Sequence, residues 1–186
     1  MSPVTHFLAG WALANAAKLE RRDRALVTLA GVAPDLDGLG IIAEVLTRDS
    51  ARPLPWFSEY HHVLGHNIGF AAFVTILAAV LARDHWRTAV LVCVSFHLHL
   101  LCDLAGARGP DGEQWPIPYL SPFSSEWQLT WSGQWALNAW PNFVFTGLLI
   151  VLALWLAVKR GFSPVEMISS RCDTIVVEAL RRRFGS

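Results

Sequence analysis

The sequence predicts an all-α protein, a polytopic helical bundle embedded in a lipid bilayer with about five membrane segments. Three observations predict it. The 186 residues are 53% hydrophobic and 16% charged, with a mean hydropathy of +0.38, whereas soluble domains average about 25% charged residues. Five apolar stretches approach the length of a membrane span, which needs about 20 residues. The last of them, 140–158, carries no charge before Lys159 and Arg160 close it, so it has no polar face to offer water in a soluble bundle.

The charge balance narrows the partners. Net charge is formally zero, so nothing in it points to nucleic acid or to an acidic partner. The cysteines Cys93, Cys102 and Cys172 are odd in number and lack C-x-x-C spacing, so neither a disulfide framework nor a thiolate zinc site is expected. The N-terminus has no basic region before its apolar stretch and carries His6, so no cleavable signal peptide is expected.

Taken in order, the first stretch, 7–17, is short and is expected to insert only in part. The second, 25–46, is long enough to span but is interrupted by Gly31, Pro34, Gly38 and Gly40, and is read as broken at PDLD. Between 25 and 43 its only charges are Asp35 and Asp37. Segments 67–82 and 88–104 follow as the third and fourth, and 140–158 is the fifth. The connection 106–138 is rich in Pro, Gly and Trp, and five of the nine tryptophans fall between Trp115 and Trp140. Indoles partition to the headgroup level, so this loop is read as an interfacial lid or wall, with an aromatic belt as the plainer reading. Trp127, Trp131 and Trp135 fit one helical face, yet EWQLTWS also alternates like a strand, and the two readings stay open.

Residues 161–186 form a second unit after the membrane-embedded unit 1–160. Ser163 is placed to cap a helix, with Pro164 in its first turn and Glu166 completing a capping box. Val165, Ile168, Cys172, Ile175 and Ala179 recur at helical spacing, and the segment ends in Arg181, Arg182 and Arg183. A basic amphipathic helix suits an anionic leaflet; packing or dimerisation is the competing use.

Lysines and arginines in short loops orient such a chain. With the N-terminus outside, the inner side collects Lys18, Arg21, Arg22, Arg24, Arg83, Arg87, Lys159 and Arg160, against Arg48, Arg52 and Arg108 outside. That orientation brings the ionisable residues of four segments to one level, the outer half: His6; Asp35 and Asp37; His61, His62 and His66; His97, His99 and Asp103. A carboxylate at a helix centre costs about 2.5 to 3.5 kcal/mol on insertion scales, so it is retained when paired, liganding or lining water. Three carboxylates with several imidazoles point to bound divalent cations, whose charge offsets the acids while neutral imidazoles supply nitrogen ligands. A proton relay or a hydrogen-bonded core network is the competing explanation.

Spacing agrees with cation binding. His99 and Asp103 are four apart, on one helical face, and His62 and His66 have the same relation. Asp35 and Asp37 lie on opposite faces of a regular helix, but a broken one turns both toward a single cavity, where non-helical backbone is tolerated. His97 lies off the His99 face and is expected to pack or support rather than ligate. His85, beside Arg83, Asp84 and Arg87, is expected in solvent. Arg108, just past the fourth segment, is a candidate for holding an anionic substrate group.

The order of these motifs resembles the YdjM-type family of inner-membrane proteins, described as membrane-bound metal-dependent hydrolases. The matching features are Thr5-His6 with LAG at 8–10, PDLD at 34–37, HHVLGHN at 61–67, and HLLCD at 99–103 followed by a loop ending in YLSPF. The family pattern H-R-G-x-T-H-S maps its histidines onto His61 and His66, with His62 in place of the arginine, Gly65 of the threonine and Asn67 of the serine. Helical spacing alone prefers His62, so the choice between His61 and His62 stays open. A more distant similarity, in motif style and order, is to zinc phospholipases C and related single-strand nucleases. It implies phosphoester hydrolysis with His6, Asp35, His66, His99 and Asp103 around two or three metals, most simply zinc.

The expectation is therefore a metal-dependent hydrolase of a bacterial inner membrane, its site facing outward and its C-terminus cytoplasmic. Its substrate would be a lipid or lipid-linked phosphoester at headgroup depth. Metal would activate a water, with Asp35 or Asp37 as general base where not a ligand. The alternative is a non-enzymatic protein that binds or transports divalent cations. Transport needs polar residues continuing into the inner half, and the third, fourth and fifth segments show none there.

Overall fold

A computed structural model describes residues 1–109, 112–124 and 126–185. Among them the chain folds into helices α1 (Pro3–Ala16), α2 (Arg21–Ala30), α3 (Gly40–Thr47), α4 (Trp56–Tyr60), α5 (Ile68–Leu81), α6 (His85–Gly106), α7 (Trp140–Arg160) and α8 (Ser170–Phe184). Tighter 3-10 turns occupy Pro34–Leu39 and Pro164–Met167. Among the described residues there is no strand, only isolated bridges joining Arg108 to Ala136 and Ile117 to Leu129. The protein is all-α.

Local chemistry sets the helix starts. Ser2 Oγ accepts from Thr5 N at 3.3 Å while Pro3 sits in the first turn of α1, where its missing N–H leaves no bond unmade. Asn67 Oδ1 accepts from Phe70 N at 2.8 Å to open α5, and Asp84 opens α6 through Arg87 N at 3.3 Å. The hairpins α1–α2 and α5–α6 pack together around Ala14, Val27, Ala30, Ala78 and Val92. The fit is close: a Cβ at Gly10 would stand 3.0 Å from the Thr28 carbonyl oxygen. Helix α7 covers the other side of α1 through Leu8, Trp11, Ala153 and Leu156.

Two helices are long and apolar enough to cross a membrane, α6 with 22 residues and α7 with 21. At 1.5 Å per residue each reaches about 32 Å, just over a hydrocarbon core of about 30 Å. The pair formed by α2 and residues 34–47 passes the same test but bends by 62° at its break, giving three if it counts as one broken span. Helices α1 and α5 have 14 residues each, about 21 Å. The five segments expected from sequence are thus present as helical stretches, but only two or three meet the length of a span. Phe73, Ile76 and Val80 on α5 and Phe143, Leu148, Val151 and Trp155 on α7 are exposed, an apolar surface suited to lipid.

Tertiary contacts override local pattern in two places. The tryptophan-rich connection forms neither the helix nor the strand that its spacing allows; Leu129 bridges Ile117, Gln134 Nε2 donates to the Asp103 carbonyl at 2.9 Å, and Trp135 Nε1 donates to Asn142 Oδ1 at 2.8 Å. The amphipathic helix expected to start at Ser163 is broken, so Ser163 caps only the turn Pro164–Met167 and Ser169 caps α8. Glu166 is not a capping-box partner. Its carboxylate is buried and takes both Nε and Nη2 of Arg24 at 2.6 Å, because a bidentate charged pair outweighs a local capping bond.

Candidate metal centre

The break at PDLD makes the site. The 3-10 turn Pro34–Leu39 carries Asp35 and Asp37, and the loop 61–67 crosses it so closely that a Cβ at Gly65 would collide with the Pro34 carbonyl oxygen. Asp37 then faces the histidine loop: its Oδ1 lies 2.8 Å from His61 Nδ1, and its Oδ2 lies 3.1 Å from His66 Nδ1 and 2.9 Å from Gly65 N. Helix α6 contributes His99 and Asp103, one turn apart as their spacing requires. Asp35, His66, His99 and Asp103 each offer one ligand atom, all within 4.8 Å of one another.

Hydrogen-bond roles decide what these atoms need. The carboxylate of Asp37 accepts, so His66 Nδ1 carries a proton; the Gly31 carbonyl oxygen, 2.8 Å from His99 Nδ1, likewise makes that nitrogen a donor. Both Nε2 atoms are bare lone pairs only in the neutral rings. Burial disfavours the charged His66, but the Asp103 and Asp37 carboxylates outweigh it and raise its pKa to about 9, so with no ion bound His66 Nε2 carries a proton. The two Nε2 atoms stand 3.2 Å apart, and Asp103 Oδ2 lies 3.0 Å from His99 Nε2 and 3.5 Å from His66 Nε2. Asp35 Oδ1 is 3.6 Å from His99 Nε2, and its Oδ2 is buried with no partner. Two carboxylates and two imidazoles converge here, in a core where His66, His99 and Asp103 are at most 1% exposed. A divalent cation would take the place of the proton on His66 Nε2, and His₂ with carboxylates is a ligand set that suits zinc and related divalent ions.

The surroundings hold the ligands in place. His6 Nε2 lies 3.1 Å from Asp103 Oδ1 and its ring stacks on His99 with centroids 3.7 Å apart, leaving its Nδ1 buried and unpartnered. The Met1 amino group also contacts Asp103 Oδ1. His62 has φ +66, a conformation uncommon for any residue but glycine, and stacks on His66 with centroids 4.3 Å apart. Burial, reinforced by the neighbouring His66, lowers its pKa to about 3, so it presents a neutral ring. His61 and His62 line a pocket of about 390 Å³ together with Phe57 and Trp115.

All the histidines and aspartates singled out in the sequence as ligands thus meet in one region, but in different positions. Asp35, His66, His99 and Asp103 converge; Asp37 and His61 pair behind His66; His6 and His62 flank. Arg108 makes none of the hydrogen bonds that join the cluster; its Nη2 donates to the Ser132 carbonyl at 3.0 Å. His97 bonds the Cys93 carbonyl at 2.7 Å and Tyr119 Oη at 2.9 Å, and His85 is exposed. Sequence reasoning overlooked Trp115 against both loop histidines, Gln134 on the Asp103 carbonyl and the Gly31 carbonyl on His99. Only Trp115 carried a signal, as an aromatic in the wall loop.

A family model described as the YdjM inner membrane protein matches residues 1–170. The chain belongs to the YdjM inner membrane protein family. Membership makes it a membrane protein, in keeping with its long apolar helices, and the four motifs that carried the resemblance are the ones that build the cluster. No curated protein and no solved structure matches the chain significantly, so the likeness to the zinc phospholipases C rests on motif order alone.

Proposed function

We propose that this YdjM-family protein is a membrane-bound metal-dependent hydrolase that cleaves a phosphoester of a lipid or lipid-linked substrate at headgroup depth. The observation that carries the reading is the convergence of Asp35, His66, His99 and Asp103 in one buried spot, each with a ligand atom within 4.8 Å of the others. Beside it opens a pocket lined by His61, His62 and Trp115. Asp35, His66, His99 and Asp103 would hold a divalent ion, most simply zinc; His6 or His61 would serve a second or third. Such an ion lowers the pKa of a bound water and stabilises negative charge on the attacked oxygen.

The chain's own groups supply the rest. Asp37 has both carboxylate oxygens engaged, whereas Asp35 Oδ2 has no partner, so Asp35, where it is not a ligand, is the better proton acceptor of the two. Phe57 and Trp115 offer the apolar wall that a lipid chain next to a phosphate requires. The distribution of Lys and Arg favours a site on the outer side of the inner membrane and a cytoplasmic C-terminus.

Metal stoichiometry and phosphoesterase activity of the detergent-solubilised protein test the reading together. Bound metal, with hydrolysis of a lipid phosphoester lost on chelation and in Asp103→Ala, is the expected result. Hydrolysis untouched by both treatments overturns it. The near-complete burial of His66, His99 and Asp103 also favours a second reading, divalent-cation binding without turnover, which metal content with no hydrolysis of any phosphoester would establish.

A further inference from the structure

Helix α8 packs against the C-terminal end of α7 and leaves a groove of about 430 Å³ between them, lined by Val151, Leu154, Trp155, Val158 and Leu180, with Lys159 at its rim. We propose that this groove binds one anionic phospholipid, its acyl chain along α7 and its phosphate among the cations of the α7–α8 junction. The proposal is independent of the metal centre.

Two features favour that occupant. The first is charge. Lys159, Arg160, Arg181 and Arg183 are exposed, and among the described residues none of them pairs with a carboxylate, while Glu178 is taken by Arg182 at 3.3 Å. Asp173 on α8 is turned inward, accepting from Ser163 N at 2.8 Å and Ser163 Oγ at 2.6 Å, so its charge is removed from the outer surface. Arg181 is held at the groove's end by donating to the Val158 carbonyl at 3.0 Å. Gly161 permits this: it closes α7 at φ +83, and a Cβ there would meet the Arg181 guanidinium at 2.9 Å.

The second is the direction in which the helix faces. The side of α8 toward the protein is Asp173 and Val177, while Ile175 and Phe184 are 62% and 69% exposed, and Ile168, just before the helix, is 87% exposed. The groove is continuous with the exposed apolar side of α7 at Val151 and Trp155, which supplies the acyl-chain surface. Juxtamembrane cations attract anionic headgroups, each adding a severalfold preference.

Native mass spectrometry of the full-length protein, delipidated in detergent and titrated with equal phosphatidylglycerol and phosphatidylcholine, reads the site directly. The expected result is one phosphatidylglycerol retained per chain in preference to phosphatidylcholine. In K159Q/R181Q/R183Q the preference falls by about tenfold or more, with an unchanged melting temperature. Equal retention of the two lipids by the wild-type protein overturns the proposal without recourse to the variant. So does a lipid-free dimer, or a preference that survives the triple substitution.

Discussion

Asp37 Oδ2 lies 3.1 Å from His66 Nδ1, on the side of the ring opposite the nitrogen that faces His99. The carboxylate fixes the tautomer and the orientation of the imidazole, a relation known to tune metal ligands from behind. Asp37→Asn keeps the shape but weakens the acceptor. Metal affinity is expected to fall about 10- to 100-fold, measured by competition with a calibrated chelator, whereas Asp103→Ala removes binding altogether. Equal loss in the two variants would make Asp37 a ligand in its own right.

Gly65 sets how closely the histidine loop crosses the PDLD turn. A methyl group there would overlap the Pro34 carbonyl oxygen, so Gly65→Ala has to push the two backbones apart. The expected outcome is metal stoichiometry reduced to a small fraction of wild type while far-UV circular dichroism keeps its helical signal, since α5 and α6 pack elsewhere.

His62 sits at φ +66, where asparagine is tolerated and a β-branched residue is an outlier. His62→Asn is expected to stay near wild-type stability and His62→Val to lose about 1–3 kcal/mol, read as urea midpoints in mild detergent. Metal content stays the same in both if the ion is held by Asp35, His66, His99 and Asp103.

Arg24 and Glu166 form a buried bidentate pair that ties the segment after α7 to α2, with Trp11 Nε1 3.3 Å from the same carboxylate. Removing one partner leaves a buried charge unmatched. Glu166→Leu is expected to cost about 3–5 kcal/mol, and Arg24→Met/Glu166→Leu to recover most of it, as seen in thermal unfolding of the solubilised protein.

The sequence by itself determined the all-α class, the two long spans and the chemical types gathered at the site. These follow from composition and from helical period, which alone puts His99 and Asp103 on one face of α6. The period could not orient Asp35, Asp37, His61, His62 or His66, because none of them lies on a regular α-helix. Nor could it reveal that Glu166 would leave a local cap for Arg24, or that the tryptophan loop would thread itself by hydrogen bonds to Asp103 and Asn142. Only the tertiary structure decided which nitrogen of each imidazole faces the cluster. That choice is made by acceptors distant in the chain, the Gly31 carbonyl for His99 and the Asp37 carboxylate for His66, and a hydrogen bond between remote segments leaves no periodic trace in either of them.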